Sequence, residues 1–350
     1  MLTMNNYSNG LRSVIFLLTL ISVTACTSLH KQPAVKHPDH PLTGKIYKAE
    51  GVVQVSPTEL LETMLKSDVI YLGENHNNTY HHKIQLDVIK KLVEKGARPA
   101  IGFEFFSRHQ TSHLINHQNA KDSDHGGHAK GDVEKLLRLQ LGWGSDREQD
   151  WQRLYSILLY ARENKLPVFG ADLSAGMRKR ISKVGYSGLS PVEKLLAPAS
   201  DFKDENYREF MHKSFVRSHC GWGNDAYLAR LYDAWLSRNE AMAQSIVATH
   251  ESVPGQPVVM ILGGGHTQFN MAVYERVEHL QANIRQLNIR LQEVVAESIE
   301  PGEYLQSLEI NNQNYGLPYE YLWYTPSMSG RRIDHCMEFN KRKEKSHKKE

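Results

Sequence analysis

Short, wholly apolar runs alternate along the chain with longer amphipathic stretches. Four such runs occupy residues 69–72, 99–103, 167–171 and 257–262, and each has the length of a strand rather than of a helix. A strand that is apolar throughout, rather than at alternate positions, is typical of a parallel sheet that is covered on both faces. The pattern therefore predicts an α/β fold in which helices flank a mostly parallel sheet.

The stretches between these runs are helical in period. Residues 79–94 and 150–163 place apolar side chains at intervals of three and four, and residues 267–280 are predicted as a further helix. The region from about 174 to 250 is mainly helical and separates the third strand from the fourth, so we expect an inserted helical subdomain. Candidates for additional strands follow at residues 291–296 and 319–324.

The first 25 residues resemble an export signal. The apolar run at residues 14–21 is too short to cross a bilayer comfortably but fits the core of a secretory signal. Small residues before Cys26 resemble the cleavage site of bacterial lipoproteins, and cleavage there would leave Cys26 as a lipid-anchored first residue. Thr27, in place of an aspartate, favours the outer membrane and the periplasmic side. The alternative is an ordinary signal peptide that is cleaved near Ala25.

Charge and composition divide the rest of the chain. Residues 26–44 are rich in proline, histidine and lysine and are predicted to be a tether, whereas residues 45–326 form the folded domain. Of 42 basic and 39 acidic residues, six basic and two acidic lie in residues 341–350. The body is thus close to neutral, and a nucleic-acid-binding surface is not indicated. Segment 327–350 is predicted to be a basic tail, either solvated or in contact with an anionic membrane.

Two further cysteines, Cys220 and Cys336, stand far apart in the sequence. They do not make a zinc-finger pattern. An exported protein can join such a pair by a disulfide, but the sequence gives no distance between them, so the paired and free states both stay open.

Ionisable residues stand at the carboxyl ends of all four predicted strands. In chain order they are Glu74 with His76, Glu104, Asp172 and His266. Ligands of open α/β sheets bind in the crevice outside these strand ends, so we expect the side chains to converge. Carboxylates and imidazoles can hold a divalent metal ion and a nucleophilic water, or perform acid–base chemistry without a metal. The alternative is that each residue only caps the turn or helix that follows it.

Two short motifs around these residues carry a family resemblance. Residues 73–76 read Gly-Glu-Asn-His and residues 263–266 read Gly-Gly-Gly-His, and with Glu104 they resemble the motifs of the Tiki/erythromycin-esterase-like superfamily. Within it, the chain is most similar to the ChaN-like haem-binding uptake lipoproteins, over about residues 45–326 and at the lipoprotein signal. Shorter matches follow in the same order along the chain, at residues 170–172, 219–221, 238–243 and 321–326.

The resemblance implies haem binding in haem and iron acquisition, on a Tiki/ChaN-like fold. The implied partners are haem, the outer membrane through the lipid anchor, and an outer-membrane haem receptor, while a homodimer stays open. Hydrolases of the superfamily use paired Glu and His residues, so a metal-dependent peptidase or esterase is the alternative. Its catalytic set would be Glu74, His76, Glu104 and His266. The non-catalytic carrier is the favoured prediction, and the absence of a signature nucleophile motif is consistent with it.

Histidines are the densest candidates for binding haem iron or a metal ion. His109, His113 and His117 recur every four residues, so they would share one face of a continuous helix, and His125 and His128 follow. Imidazole suits both haem iron and divalent transition metals. The alternative is a solvated helix face that binds nothing.

Asp172, Arg178 and Tyr186, at or after the end of the third predicted strand, are candidates for lining a ligand pocket. Asp172 ends that strand, and Arg178 carries a guanidinium, which suits haem propionates. Tyr186 could add an aromatic wall. The alternative is that Arg178 is an ordinary surface charge and that Tyr186 belongs to the core.

Overall fold

The computed structural model describes residues 34–120, 130–144, 148–201, 204–328 and 336. Ten short strands run through these segments. In chain order they are β1 (Ile46–Lys48), β2 (Val53–Val55), β3 (Val69–Glu74), β4 (Ala100–Ser107), β5 (Val168–Asp172), β6 (Val258–Gly263), β7 (Gln286–Glu293), β8 (Glu309–Ile310), β9 (Gln313–Asn314) and β10 (Tyr321–Thr325).

Eight of these strands form one sheet in the order β2-β1-β10-β7-β3-β6-β4-β5. Every pair from β10 to β5 is parallel, whereas β1 pairs antiparallel with both β10 and β2. Strands β8 and β9 pair in a separate antiparallel ribbon. The prediction of a mostly parallel sheet flanked by helices is thus confirmed.

Helices cover both faces of this sheet. They are α1 (Pro57–Met64), α2 (Thr79–Glu94), α3 (Thr111–Asn119), α4 (Lys130–Gln140), α5 (Glu148–Glu163), α6 (Ala175–Val184), α7 (Pro191–Leu196), α8 (Glu205–Ser218), α9 (Asp225–Ser252) and α10 (Val273–Leu280). Leu60, Ile89 and Trp151 pack on one face of the sheet, and Ile246 and Val277 pack on the other. This two-sided burial explains why β3 is apolar at consecutive positions and buried along its whole length.

Helices α6 to α9 lie between β5 and β6, in the region where the sequence predicts a helical insertion. The boundaries of the signal, the tether and the tail remain predictions. Cys220 and Cys336 are joined by a disulfide, with their Cα atoms 5.2 Å apart. Within the described part of the chain, no helix is both long and apolar enough to cross a membrane.

The predicted helix at residues 267–280 is wrong in its first turn and a half. A 3₁₀ turn covers Gln268–Asn270, and α10 begins only at Val273. Phe269 and Ala272 have φ angles of 60° and 58°, which a right-handed helix does not tolerate. Hydrophobic spacing carries no signal of such backbone angles.

Candidate functional site

The carboxyl ends of four strands lie side by side. Strands β3, β6, β4 and β5 are consecutive neighbours in the sheet, although they are far apart in the chain. Glu74 ends β3, His266 follows β6, Glu104 lies in β4 and Asp172 ends β5. The structure therefore brings these four side chains, together with His76, to one edge of the sheet.

Glu74 is the centre of the first cluster and is almost fully buried. Its carboxylate accepts hydrogen bonds from His76 Nδ1 at 2.9 Å, from Gln85 Nε2 at 2.6 Å and from His82 Nε2 at 3.2 Å. Burial alone would raise its pKa, but the hydrogen bonds from His76 and His82 outweigh this and lower the pKa to about 2. Glu74 is therefore an ionised carboxylate that three donors hold in place.

His76 is the exposed member of the cluster. Half of its side chain (51%) is accessible, and the edge of the Phe105 ring packs against it at 4.9 Å between ring centroids. Its Nδ1 is fixed by Glu74, and its Nε2 lies 4.0 Å from Glu104 Oε1. Partial burial lowers its pKa, but Glu74 and Glu104 raise it further, so the pKa ends above its ordinary value. His76 is thus an oriented imidazole that can exchange protons with a ligand.

Glu104 is the centre of the second cluster, and donors surround both of its oxygens. Oε1 accepts from Arg238 Nη2 at 2.6 Å and lies 3.2 Å from His266 Nε2, while Oε2 accepts from the Gly263 N–H at 2.6 Å. Burial raises its pKa, but the neighbouring His266 and Arg238 hold the pKa well below its ordinary value. Glu104 therefore stays ionised and does not readily take up a proton.

Arg238 on α9 joins the second cluster to Asp172. Its Nη2 lies 2.6 Å from Glu104 Oε1 and 2.7 Å from Asp172 Oδ2, and its Nε also donates to Asp172 at 2.9 Å. Burial lowers the pKa of Arg238, but these two carboxylates raise it above its ordinary value. Arg178 Nη1 donates to the same Asp172 oxygen at 2.7 Å from a more exposed position. Asp172 is therefore occupied by two guanidinium groups.

His266 is clamped between a ring and an amide. The indole of Trp235 stacks on the imidazole at 4.2 Å with an interplanar angle of 15°, and the amide of Asn239 meets Nδ1 at 2.5 Å. Burial lowers the pKa of His266 despite the nearby Glu104, so we assign the neutral imidazole.

The hydrogen bonds decide the tautomer of His266. Glu104 is ionised and accepts only, so the proton of the neutral imidazole is on Nε2 and Nδ1 is an acceptor. The Asn239 amide oxygen faces Nδ1 in the structure, so the amide must be turned for its nitrogen, which is buried without a partner, to donate to Nδ1. In that orientation Nδ1 of His266 accepts from Asn239, and Nε2 donates to Glu104.

The glycines of the two motifs let the strands approach closely. A Cβ atom on Gly73 would lie 3.1 Å from the Gly264 Cα, and a Cβ on Gly264 would overlap the guanidinium of Arg290. Arg290 on β7 donates to the Glu74 carbonyl oxygen at 2.7 Å and to the Asn75 side chain. The glycines therefore make room for an arginine that fixes the loop before His76.

Other predicted site residues lie elsewhere. Tyr186 follows the far end of α6, about 15 Å along the helix axis from its start beside Asp172. There it packs in the apolar cluster around Ile181, and Lys194 lies over its ring. Tyr186 is thus part of a small core, and the structure does not bring it to the strand ends.

The histidine set does not share one helix face. His109 is exposed in a 3₁₀ turn, and α3 begins only at Thr111. His113 is half-buried, whereas His117 is buried beside a cavity of about 320 Å³ between α3 and α4. Burial, aided by the charge of Arg162, lowers the pKa of His117 to about 4.

Three predicted residues, His125, His128 and Cys26, lie outside the described residues. Among the residues that are described, no group of three or more His, Cys, Asp or Glu side chains is arranged to hold a metal ion.

Sequence analysis did not predict several side chains of the site, because they lie on elements other than the four strands. The family motif at residues 238–243 contains two of these residues but implied no role for them. No pattern near the strand ends indicated the others. The four consecutive polar residues 237–240, which lie between the apolar residues 234–236 and 241–243 of α9, were the signal that could have found Arg238 and Asn239. The missed residues are His82 and Gln85 on α2, Trp235, Arg238 and Asn239 on α9, and Arg290 on β7.

Comparison with known proteins decides the family. The family model described as haem-binding uptake, Tiki superfamily, ChaN, matches residues 60–277. This stretch is more than half of the chain and holds both Glu–His clusters. The chain belongs to this family. A search of curated proteins found no match.

Solved structures extend the comparison to the fold. The chain is similar to ChaN of Campylobacter jejuni, a protein with cofacially bound haem, with a TM-score of 0.57 and 16% identity over 79% of this chain and 95% of that chain. It is also similar to a mutant of the erythromycin esterase EreC (TM-score 0.41, 13% identity, 78% and 94% covered). A third similar structure is the type III effector HopBA1 (TM-score 0.40, 14% identity, 85% and 99% covered). The first of these shows a shared fold.

Proposed function

We propose that the protein binds haem and takes part in haem and iron acquisition as an outer-membrane lipoprotein that faces the periplasm. The family match over residues 60–277 is the observation that carries this proposal. The lipid would be attached to Cys26, and an outer-membrane haem receptor would be the partner. Because ChaN of Campylobacter jejuni binds haem cofacially, we also propose that haem brings two copies of this chain together.

One cavity among the described residues has a lining that fits haem. It has a volume of about 470 Å³, and its walls include the apolar side chains of Phe269, Leu287 and Leu317. Tyr321 adds a phenol, which haem iron accepts as an axial ligand. Lys48 lines the cavity as well, paired with Glu50 at 2.9 Å, and Glu320 is a further carboxylate of the lining. The apolar wall and the phenol are therefore the features of this cavity that suit haem.

Tyr321 is the best iron donor in this cavity because the two other phenols are engaged. The Tyr315 hydroxyl donates to the Asp204 carboxylate at 2.9 Å, and the Tyr319 hydroxyl donates to the Gly264 carbonyl at 3.3 Å. Haem, when bound, supplies an iron that takes a ligand from the protein. We propose Tyr321 for that role, with His117 beside the smaller cavity as the competing donor.

A haem titration of the soluble chain from Thr27 onward tests the proposal. We expect a saturable Soret shift and a higher unfolding temperature, because a ligand that binds only the folded state stabilises it. Tyr321→Phe should weaken haem binding by at least about tenfold, whereas His117→Leu should leave it unchanged. The reverse result would move the ligand to His117. The absence of a saturable shift in the wild-type chain would overturn haem binding itself.

A second candidate function is hydrolysis, and the geometry of His76 favours it. A half-exposed imidazole whose Nδ1 is held by a buried carboxylate is the arrangement of a general base. Turnover of peptide and ester substrates, with and without Mn²⁺, Co²⁺ or Zn²⁺, tests this. A hydrolase should lose turnover in His76→Asn and Glu74→Gln, while a carrier should keep its haem affinity in both. If no substrate is turned over, this second function is wrong.

A further inference from the structure

Helix α7 carries an unusually exposed apolar face. Val192, Leu195 and Leu196 have 69%, 85% and 44% of their surface accessible. Leu195 is the most exposed large apolar side chain among the described residues. The three positions are spaced i, i+3 and i+4, so they lie on one side of the helix. This surface is called the apolar face of α7 below.

The exposure does not come from a loosely attached helix. Ser190 and Glu193 form a reciprocal capping box, and Pro191 occupies the first helical position. The Arg180 guanidinium on α6 holds Glu193 at 2.7 Å, and Ala197 is buried at the end of the helix. The apolar face is thus presented by a helix that is capped and fastened at both ends.

Basic residues border this face. Lys179, Arg180 and Lys183 are spaced three and four apart on α6, and the contact of Arg180 with Glu193 places their side of α6 next to α7. Lys194 adds a further exposed cation on α7 itself. Of the five basic residues in 175–200, Arg178 pairs with Asp172 and Arg180 pairs with Glu193. The remaining three, Lys179, Lys183 and Lys194, are exposed and supply the positive charge of this part of the surface.

We propose that the apolar face of α7, with the lysines around it, docks onto an anionic phospholipid membrane. Apolar side chains with a basic border are the composition of interfacial membrane contacts, in which the lysines meet the headgroups. A protein partner fits less well. A stable protein interface involves roughly 20–30 residues a side, whereas this face has three apolar side chains.

This contact is independent of haem binding and of the lipid on Cys26. It would orient the helical region of the protein against a bilayer surface. The experiment therefore uses the chain from Thr27 onward, without lipid, and flotation with vesicles of phosphatidylcholine alone or mixed with phosphatidylglycerol.

The wild-type chain should float with the anionic vesicles and not with the neutral ones. The double variant Val192→Ser/Leu195→Ser should bind at least about tenfold more weakly, because two apolar groups no longer enter the interface. Lys179→Ala/Lys183→Ala should lose roughly fivefold per lysine, which the charge near an anionic surface contributes. The matched control is Leu139→Ser on α4, a leucine with 78% of its surface accessible, and it should bind like the wild type.

A fluorescent variant checks the geometry. The difference in emission between Leu195→Trp and the wild type, which has five tryptophans, should shift to the blue on anionic vesicles and not on neutral ones. Failure of the wild type to float, or equal flotation of the Val192/Leu195 variant, overturns the proposal. Concentration-dependent self-association that the same variant abolishes would overturn it too, since the face would then join two copies. Haem titration of each variant separates these outcomes from the haem proposal, which the same substitutions should leave intact.

Discussion

The two Glu–His clusters use the same residue types and behave in opposite ways. His76 contacts Glu74 from the open side of the crevice, and half of the His76 side chain is accessible. His266 meets Glu104 inside the protein, between Trp235 and Asn239, with 5% of its side chain accessible. The pKa of His76 is raised, because its carboxylate partners outweigh its burial, whereas the pKa of His266 is lowered, because burial wins.

The contrast shows that burial and extra donors, rather than residue type, decide what each cluster can do. Glu104 is already saturated by Arg238, Gly263 and His266, so that cluster supports the structure. The ring of His76 stays accessible while its Nδ1 is bound to Glu74, so the first cluster can contact a ligand.

The largest effect should come from the ion pairs of Arg238. Arg238→Ala removes the guanidinium from the buried Glu104 and leaves Asp172 with Arg178 alone, and we expect a loss of about 3–5 kcal/mol in the free energy of unfolding. Arg178→Ala is the matched control. It also pairs with Asp172 but is 36% exposed, so the expected loss is about 1 kcal/mol or less. Urea denaturation measures both losses. Equal losses would contradict the view that burial decides how much each ion pair of Asp172 contributes.

A smaller effect should follow removal of the charge on Glu74. Glu74→Gln weakens the buried hydrogen bonds from Gln85 and His82 and should cost about 1–3 kcal/mol at pH 7. The control is Glu62→Gln on the exposed side of α1. It should change stability by about 0.5 kcal/mol or less.

Glu74→Gln should also change how the free energy of unfolding depends on pH. The folded-state pKa of Glu74 is lowered from 4.5 to about 2, so its contribution to stability is complete above pH 4.5 and is lost as the pH falls toward 2. His76 has the opposite sign. Its raised pKa stabilises the fold below pH 6.5, and this contribution is lost as the pH rises through the folded-state pKa. Stability of Glu74→Gln should therefore vary less with pH between 4.5 and 2, and an unchanged acid profile would contradict the assignment.

Asn239→Asp should make His266 resemble His76. The introduced carboxylate accepts hydrogen bonds but cannot donate one to Nδ1, so the imidazole must carry both protons to donate to it and to Glu104. We expect the pKa of His266 to rise above its ordinary value. Histidine NMR titration measures it, and Asn239→Ala is the control without the new charge. A pKa that stays low in both variants would contradict the expectation that a second carboxylate outweighs the burial of His266.

The smallest effect should be that of His76→Asn on stability. A half-exposed imidazole contributes little to an ion pair, and Glu74 keeps its other donors, so we expect a change of about 0.5 kcal/mol or less by thermal unfolding. His266→Asn should cost more, because it opens a buried stack with Trp235 and leaves Glu104 with one donor fewer. Similar losses for the two histidines would remove the distinction between the clusters.

Much of the framework was predictable from local pattern. Wholly apolar runs located β3 and β6 to within two residues, because a strand that is buried on both faces leaves no polar positions. The strand-end residues Glu74 and His266 followed from the same pattern. The three-residue strands β1 and β2 were missed, since segments of that length carry no period.

By itself, the sequence determined the class of fold, the strand ends and the identity of the polar groups there, because these depend on neighbours along the chain. Only the tertiary structure decided that β3, β6, β4 and β5 lie next to one another. It also decided that Arg238 and Asn239, far along the chain from Asp172, complete the second cluster. Burial and charge compensation depend on groups that meet only in three dimensions, and these quantities separate His76 from His266.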